Sequence, residues 1–263
     1  RRLRPYRGRA RVLWGDIRNP NDVEMAVSGV DVVLHLAAII PPRADMEPAH
    51  AESVNAGGTK ILVETMKRAV VPPRLVYASS VSVYGDRIAD PWISVGDPLC
   101  PSDHDFYAET KVRAESCVRA SGLDWTVFRL TAVMDPEMTF DPLMFHMPLE
   151  TSLEIVTSRD CGRAFAKAVA TEGLSGRVFN LAGGERCRIN YRELIDRYFT
   201  VHGLGPGLLP EEAFARGNFH CGFFRDSDDL EELVCFQRDG VDELIEMMSS
   251  RIHPLQPRLA SLG

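Results

Sequence analysis

Tyr107 and Lys111 stand four residues apart in Tyr107-Ala-Glu-Thr-Lys111, at the start of a segment that reads as a helix. Residues at that spacing share one helical face. An ammonium beside a phenol favours the phenolate and lowers a pKa that is ordinarily about 10. Such a tyrosine exchanges a proton with a hydroxyl or a carbonyl near neutral pH. The plain alternative is a surface tyrosine and lysine that merely share a face. Upstream lies Val76-Tyr77-Ala78-Ser79-Ser80-Val81-Ser82-Val83-Tyr84-Gly85. Small hydroxyls at the carboxyl end of a strand lie where open α/β sheets bind ligands. A serine there can hydrogen-bond the same substrate oxygen as the tyrosine. Its alternative is a polar strand-to-loop transition whose hydroxyls cap backbone groups.

The elements that would place these residues alternate between short β-branched runs and longer helical patterns, which argues for βαβ units and a parallel sheet. Val32 to Leu36 is a continuous apolar run, as expected of a strand covered on both faces. Leu75 to Ala78, Thr126 to Leu130 and Val178 to Leu181 read as further strands. Asn19-Pro20-Asn21-Asp22 reads as a helix start. Residues 51 to 70, 106 to 120, 159 to 170, 191 to 201 and 241 to 251 have helical patterns, and Pro72-Pro73 stops the first of these. The expected fold is α/β: a Rossmann-like doubly wound parallel sheet with a small C-terminal α+β substrate lobe. Residues 1–135 would form the N-terminally incomplete core. Residues 136–263 would form mainly the lobe, with segments returning to the core.

Composition narrows the function classes. The chain of 263 residues is 45% hydrophobic and 25% charged, the balance of an ordinary soluble globular protein. No apolar run approaches the ~20 residues that span a bilayer, so a membrane partner is not expected. A net charge of −7 argues against general nucleic-acid binding. The six cysteines form no C-x-x-C pair, and no histidine spacing suggests zinc, so no metal site is expected. These features point to a cytoplasmic protein with reduced thiols.

Leu75 to Gly85 and Tyr107 to Lys111 resemble the extended short-chain dehydrogenase/reductase family, the NAD-dependent epimerase/dehydratase group. The likeness runs from about Arg11 to Gly184, with a weaker trace to residue 250. Gly15-Asp16-Ile17 is similar to the family's adenine-contacting turn. His35-Leu36-Ala37-Ala38 is similar to its segment beside the cofactor ribose and phosphates. Asn55, Gly58 and Thr59 are similar to its N-x-x-G-T helix, and Asp160 to a structural acidic residue. The resemblance implies NAD or NADP as cofactor, with residues 1–135 as the dinucleotide-binding core. It implies Tyr107 as general acid/base, Lys111 holding the nicotinamide ribose and lowering the tyrosine pKa, and Ser80 polarising the substrate oxygen. Asp16, Ile17, Leu36, Ala37, Ala38 and Asn55 would line the cofactor groove with Tyr107 and Lys111. Ser82, Arg129 and Arg188 are candidates for the substrate; for Arg129 an ion pair is the equal alternative. The implied partner is a small molecule, and the family's habit leaves a homodimer open.

The sequence departs from the family at its amino end. Only 14 residues precede Gly15, and no G-x-G-x-x-G or G-x-x-G-x-x-G turn occurs in the chain. The first strand-turn-helix, with its pyrophosphate cradle, is therefore expected to be absent. An incomplete record and a natural cofactor-free relative both account for that. Arg1, Arg2, Arg4, Arg7, Arg9 and Arg11 offer a partner for a 2′-phosphate or, as the safer reading, a solvated connection. Only 23 residues separate Pro136 from Asp160, and a short segment there favours a small alcohol, ketone or lactone-like substrate. Met134, Met138, Met144, Phe145 and Met147 would suit an adaptable apolar lining or the lobe core. The expected function is an NAD(P)-dependent oxidoreductase or epimerase/dehydratase acting on a hydroxyl or carbonyl carbon of a sugar-like or other small substrate. The alternative is a cofactor-impaired family member that binds a ligand or partner.

Overall fold

The structure is a computed structural model that describes residues 8–138 and 140–251. Its first half runs α1 (Pro20–Val27), β1 (Val32–His35), α2 (Arg43–Met46), α3 (Pro48–Glu52), a π-helical turn (Ser53–Gly58), α4 (Thr59–Lys67), β2 (Arg74–Ser80), β3 (Trp92–Ile93), α5 (Phe106–Arg119) and β4 (Trp125–Leu130). Then follow β5 (Val133–Met134), β6 (Ser152–Glu154), β7 (Val156–Thr157), α6 (Ser158–Ala168), β8 (Arg177–Leu181), β9 (Arg188–Asn190), α7 (Tyr191–Val201), β10 (Phe223–Phe224), α8 (Asp228–Val234) and α9 (Val241–Ser249).

The principal sheet is parallel, in the order β1-β2-β4-β8. Helices cover both faces. Leu75, Tyr77 and Val127 pack with Leu62, Met66, Ala114 and Val118 of α4 and α5. Val76, Phe128 and Phe179 pack on the other face with Ala164, Phe165, Leu230 and Val234 of α6 and α8. Burial on both faces explains why β2 is buried from Leu75 to Ser80. A third apolar cluster joins β6, β9, α7 and α9 to Val81, Val83 and Tyr84. The sheet expected from the sequence is thus formed, and its last strand comes from the second half of the chain.

Local chemistry fixes where the helices begin. The Asn19 side chain accepts from the Asn21 amide, with Pro20 at the first helical turn. Asp105 caps α5 by accepting from Ala108 N at 2.8 Å, which starts the helix at Phe106, one residue before Tyr107. Two glycines are required by close approach. A Cβ at Gly58 would lie 2.6 Å from Ile17 Cγ2, so the turn at 15–17 can seat on the π-helical turn only there. Gly85 has φ +71°, and a Cβ on it would meet the Cys100 carbonyl at 2.0 Å. Its sharp turn ends the serine-bearing loop.

The apolar run Val12-Leu13-Trp14 forms no strand. It has no ladder partner, and Trp14 is 91% exposed. β1 is likewise less covered than its apolar run implies, with Leu34 at 36% exposure. The described residues place no strand on its outer edge. Of the six amino-terminal arginines, Arg1, Arg2, Arg4 and Arg7 lie outside the described residues; Arg9 and Arg11 are exposed.

Candidate active site

Ser80 ends β2, and Tyr107 and Lys111 occupy the first turns of α5, which packs on that strand. Lys111 is buried and its Nζ donates to Ala78 O at 2.6 Å, two residues before Ser80. The same Nζ lies 5.9 Å from the Tyr107 ring centre and 4.8 Å from that of Tyr77. Ser82 donates to Ser80 Oγ twice, from its amide at 3.2 Å and its hydroxyl at 2.9 Å. With its oxygen so engaged, Ser80 keeps its own proton to donate, and its hydrogen bond draws the Tyr107 pKa down. Burial acts in the opposite direction and prevails, pushing Tyr107 up to about 12. The Asp105 charge acts in the same upward direction, and the lowering expected from Lys111 is not among the influences that set this value. Burial holds Lys111 itself down to about 7, against the pull of the Glu115 carboxylate.

Beneath this trio runs a chain of buried polar side chains. Asn55 receives Ile39 N at 2.7 Å and donates to Ile39 O and to Thr110 Oγ1, both at 2.9 Å. Thr110 donates to the Tyr107 carbonyl at 2.7 Å. Thr59 donates to Asn55 O at 2.5 Å, so the contact of His35 Nε2 with Thr59 Oγ1 at 2.8 Å places the ring proton on Nε2. Burial, then the charge of Lys111, lowers the His35 pKa to about 3, which keeps the ring neutral. A second chain starts at Glu115, one turn beyond Lys111. Its carboxylate accepts from Ser79 Oγ at 2.9 Å and from the Arg129 fork at 2.6 and 3.1 Å. Arg129 also donates to Tyr84 Oη at 2.8 Å, and Tyr84 donates to Asn180 Oδ1 at 2.8 Å.

These contacts redistribute the residues singled out by sequence. Ser80, Tyr107 and Lys111 converge. Asp16, Ile17, Leu36 and Ala37 line one open groove beside β1, while Ala38 is half-buried outside its wall. Asp16 is bound to Arg18, with 2.5 Å to its Nη2, and accordingly titrates near 2. Asn55 is buried, and its amide is fully occupied by Ile39 and Thr110, so it braces the helices instead of lining the groove. The three substrate candidates have partners within the chain, and for Arg129 that partner is the ion pair named as the alternative. Ser82 is wholly buried and its hydroxyl serves Ser80. Arg129 is 2% exposed and paired with Glu115. Arg188 is held by Glu154 at 2.8 Å and by Phe224 O at 3.0 Å, with its guanidinium 5.1 Å from the Trp92 ring centre. Sequence reasoning missed Glu115 and Thr110, and named His35 only as part of the segment expected beside the cofactor. The four-residue step from Lys111 to Glu115, repeating that from Tyr107 to Lys111, was the available signal.

The cofactor implied by the fold can be tested against these groups. An ammonium has three donors, and the Ala78 carbonyl takes one of those of Lys111. The Thr131 hydroxyl, one residue beyond β4, is buried without a partner. Open donors and an orphaned hydroxyl at the carboxyl edge of a parallel sheet fit the ribose end of a dinucleotide. The glycine cradle for its pyrophosphate does not occur in the 263 residues. No group of three or more metal-ligating side chains that could hold an ion occurs among the described residues. Nor is any described helix long and apolar enough to cross a membrane.

A doubly wound sheet with Ser, Tyr and Lys at its carboxyl edge defines the class, and comparisons with known proteins agree with it. Residues 6–130 match the 3-beta hydroxysteroid dehydrogenase/isomerase family. A 3 beta-hydroxysteroid dehydrogenase/Delta 5-->4-isomerase of Mycobacterium tuberculosis is 36% identical over 166 residues, covering 58% of this chain and 42% of that protein. The match thus spans less than half the length of that relative. A dTDP-glucose 4,6-dehydratase of Streptomyces venezuelae, solved with NAD, superposes with TM-score 0.76 at 22% identity over 95% of this chain and 83% of that one. A short-chain dehydrogenase/reductase superfamily protein of Agrobacterium tumefaciens with bound NAD gives 0.73 at 19% identity, covering 99% and 89%. Over residues 6–130 the chain is similar to the 3-beta hydroxysteroid dehydrogenase/isomerase family, and its fold is that of NAD-bound short-chain dehydrogenase/reductase structures.

Proposed function

We propose that this chain forms the catalytic part of an NAD(P)-dependent oxidoreductase or epimerase/dehydratase acting on a hydroxyl or carbonyl carbon. The observation that carries this reading is the convergence of Ser80, Tyr107 and Lys111 at one end of β2. When bound, the nicotinamide supplies hydride exchange. The chain's own residues handle the oxygen and its proton. Ser80, oriented by Ser82, donates to the substrate oxygen. Tyr107 takes the hydroxyl proton during oxidation and returns it during reduction. Lys111, with donors to spare, would hold the nicotinamide ribose and favour the phenolate as it forms. Asp16, Ile17, Leu36 and Ala37 would flank the cofactor along the groove beside β1.

Tyr107→Phe tests the assignment, because it removes only the hydroxyl. Hydride transfer from NADH or NADPH should fall by about 10²–10⁴-fold, as for loss of a general acid. The melting temperature should stay within a few degrees. Full turnover in that variant would remove Tyr107 from the reaction. Separately, NADH or NADPH should raise the melting temperature of the wild-type chain, since a ligand of the folded state stabilises it as RT ln(1 + [L]/Kd).

A further inference from the structure

Two side chains grip the peptide unit that joins Tyr107 to Ala108. Its carbonyl accepts from Thr110 Oγ1 at 2.7 Å, and Asn55 holds Thr110. Its N–H donates to Asp105 Oδ1 at 2.8 Å. The second tie is charged: the Asp105 carboxylate, only 20% exposed, stands within one turn of the phenol.

The loop that presents Asp105 is strapped from the second half of the chain. Asn218 Oδ1 accepts from Ser102 Oγ at 2.5 Å, and His220 Nδ1 lies 3.9 Å from Asp105 Oδ2. Between them, Phe219 N donates to Asp86 Oδ1 at 3.0 Å, and its carbonyl accepts from Arg87 N at 2.7 Å. His104 and Asn218, at φ +65° and +62°, both stand in the left-handed region, which residues other than glycine keep where their surroundings hold them. Residues 218–220 thus bind the loop that follows Ser80 to the first turn of the helix that bears Tyr107.

Charge makes this tie more than a cap. The His220 ring lies 4.5 Å from that of Phe219, and burial lowers its pKa to about 4. A neutral imidazole leaves the charge of Asp105 uncancelled. The other groups facing Asp105 are Asp45 of α2 and Glu109, one turn along α5. Burial and these two acids raise the Asp105 carboxyl above its ordinary value, against the pull of the Ala108 amide. His146 faces Asp45 from the lobe. Asp105 in turn faces the phenol, whose other neighbours are Ser80, Lys111 and Tyr77. A carboxylate so placed disfavours a second negative charge on the Tyr107 oxygen.

We propose that Asp105 is a positioning residue for proton transfer: it fixes the first turn of α5 and keeps the proton on the Tyr107 phenol, the form that donates when a carbonyl is reduced. In that direction the carbonyl carbon takes a hydride from the reduced nicotinamide, its oxygen takes the phenol's proton, and C=O becomes CH–OH. Solvent then returns a proton to the phenolate. The phenol's task rests on the oxidoreductase reading above; its titration does not.

The test labels the chain with 3-fluorotyrosine and follows the fluorine resonances against pH, without cofactor or substrate. Tyr107→Phe identifies the resonance of residue 107. The ring fluorine makes the phenol more acidic and brings its titration toward pH values at which the fold persists. Asp105→Asn keeps the cap, because an Asn side chain accepts the same bond, and removes the charge. It should lower the midpoint of the Tyr107 resonance by about 0.5 in pH or more, with the melting temperature unchanged. Asp105→Ala removes both cap and charge, so it should show the same lower midpoint and melt about 2–4 degrees lower. Asp105→Ser, a cap without charge, takes the place of the Asn variant where that one loses its fold. A midpoint that stays or rises in the uncharged variants would overturn the hold of Asp105 on the proton, because a cap alone does not move it. Equal melting of the Asn and Ala variants would overturn its positioning of the helix. Full turnover in Tyr107→Phe, alongside the expected midpoints, would bring down the oxidoreductase reading and leave the hold of Asp105 on the phenol standing.

Discussion

Lys111 sits in an environment far from that of a lysine in water. Its ammonium is buried, with a carbonyl for one donor and two aromatic rings nearby. Desolvation lowers its pKa from 10.5 to about 7, and Glu115 limits the fall. The unfolded chain therefore binds the proton more tightly than the folded one. Between about pH 7 and the unfolded value near 10.4, unfolding takes up a proton, so stability rises with pH across that window and is flat below it. Urea denaturation at pH 7 and pH 9 should show this rise in the wild type and a smaller one in Lys111→Met. Equal slopes in the two proteins would mean that Lys111 stays protonated throughout. The same titration bears on catalysis, because the ammonium that favours a phenolate on Tyr107 is half lost near neutrality.

At the scale of elements, the distance between the strand that carries Ser80 and the helix that carries Tyr107 is set by two ties one turn apart. Lys111 reaches Ala78 O, and Glu115 receives Ser79 Oγ and the Arg129 fork from β4. Arg129→Met removes the closer of the two guanidinium partners of the buried Glu115 carboxylate and leaves it Ser79 Oγ and Arg119 at 3.6 Å, which should cost up to about 3 kcal/mol in chemical denaturation. The double variant Arg129→Met/Glu115→Leu should recover much of that loss, because neither charge then remains. Strictly additive costs would show that the two side chains are not coupled. Part of this arrangement was legible in the sequence. The β2 and β4 runs, the α5 pattern and the spacing of Tyr107 and Lys111 are local, and each survives folding. The fate of Arg129, Arg188 and Ser82 was not legible, because their partners Glu115, Glu154 and Ser80 are chosen by packing. The direction of the Tyr107 pKa was not legible for the same reason: spacing reveals a neighbouring charge, whereas burial, the largest influence on the phenol, is a property of the whole layer.

At the scale of the molecule, the two edges of the sheet differ in what lies beside them. β8 is flanked by α6 and α8, which pack on its face. The outer edge of β1 has no described strand against it, and the groove beside it is walled by Leu13, Trp14, Val30, Leu34 and Leu36. Leu36 is 56% exposed and Trp14 is 91% exposed. Unpaired backbone donors and acceptors next to apolar side chains are a template for strand addition and for association between copies. A net charge of −7 on the whole chain opposes that association only weakly at physiological salt, where screening sets in within about 8 Å. The 263-residue chain should therefore bind a hydrophobic dye and form large species in sedimentation at concentrations where a closed sheet would remain dispersed. Leu36→Lys places a charge on this edge without entering the core and should reduce both signals, with circular dichroism unchanged. If dye binding and sedimentation are the same in Leu36→Lys as in the wild type, the edge of β1 is not the surface through which the chain associates.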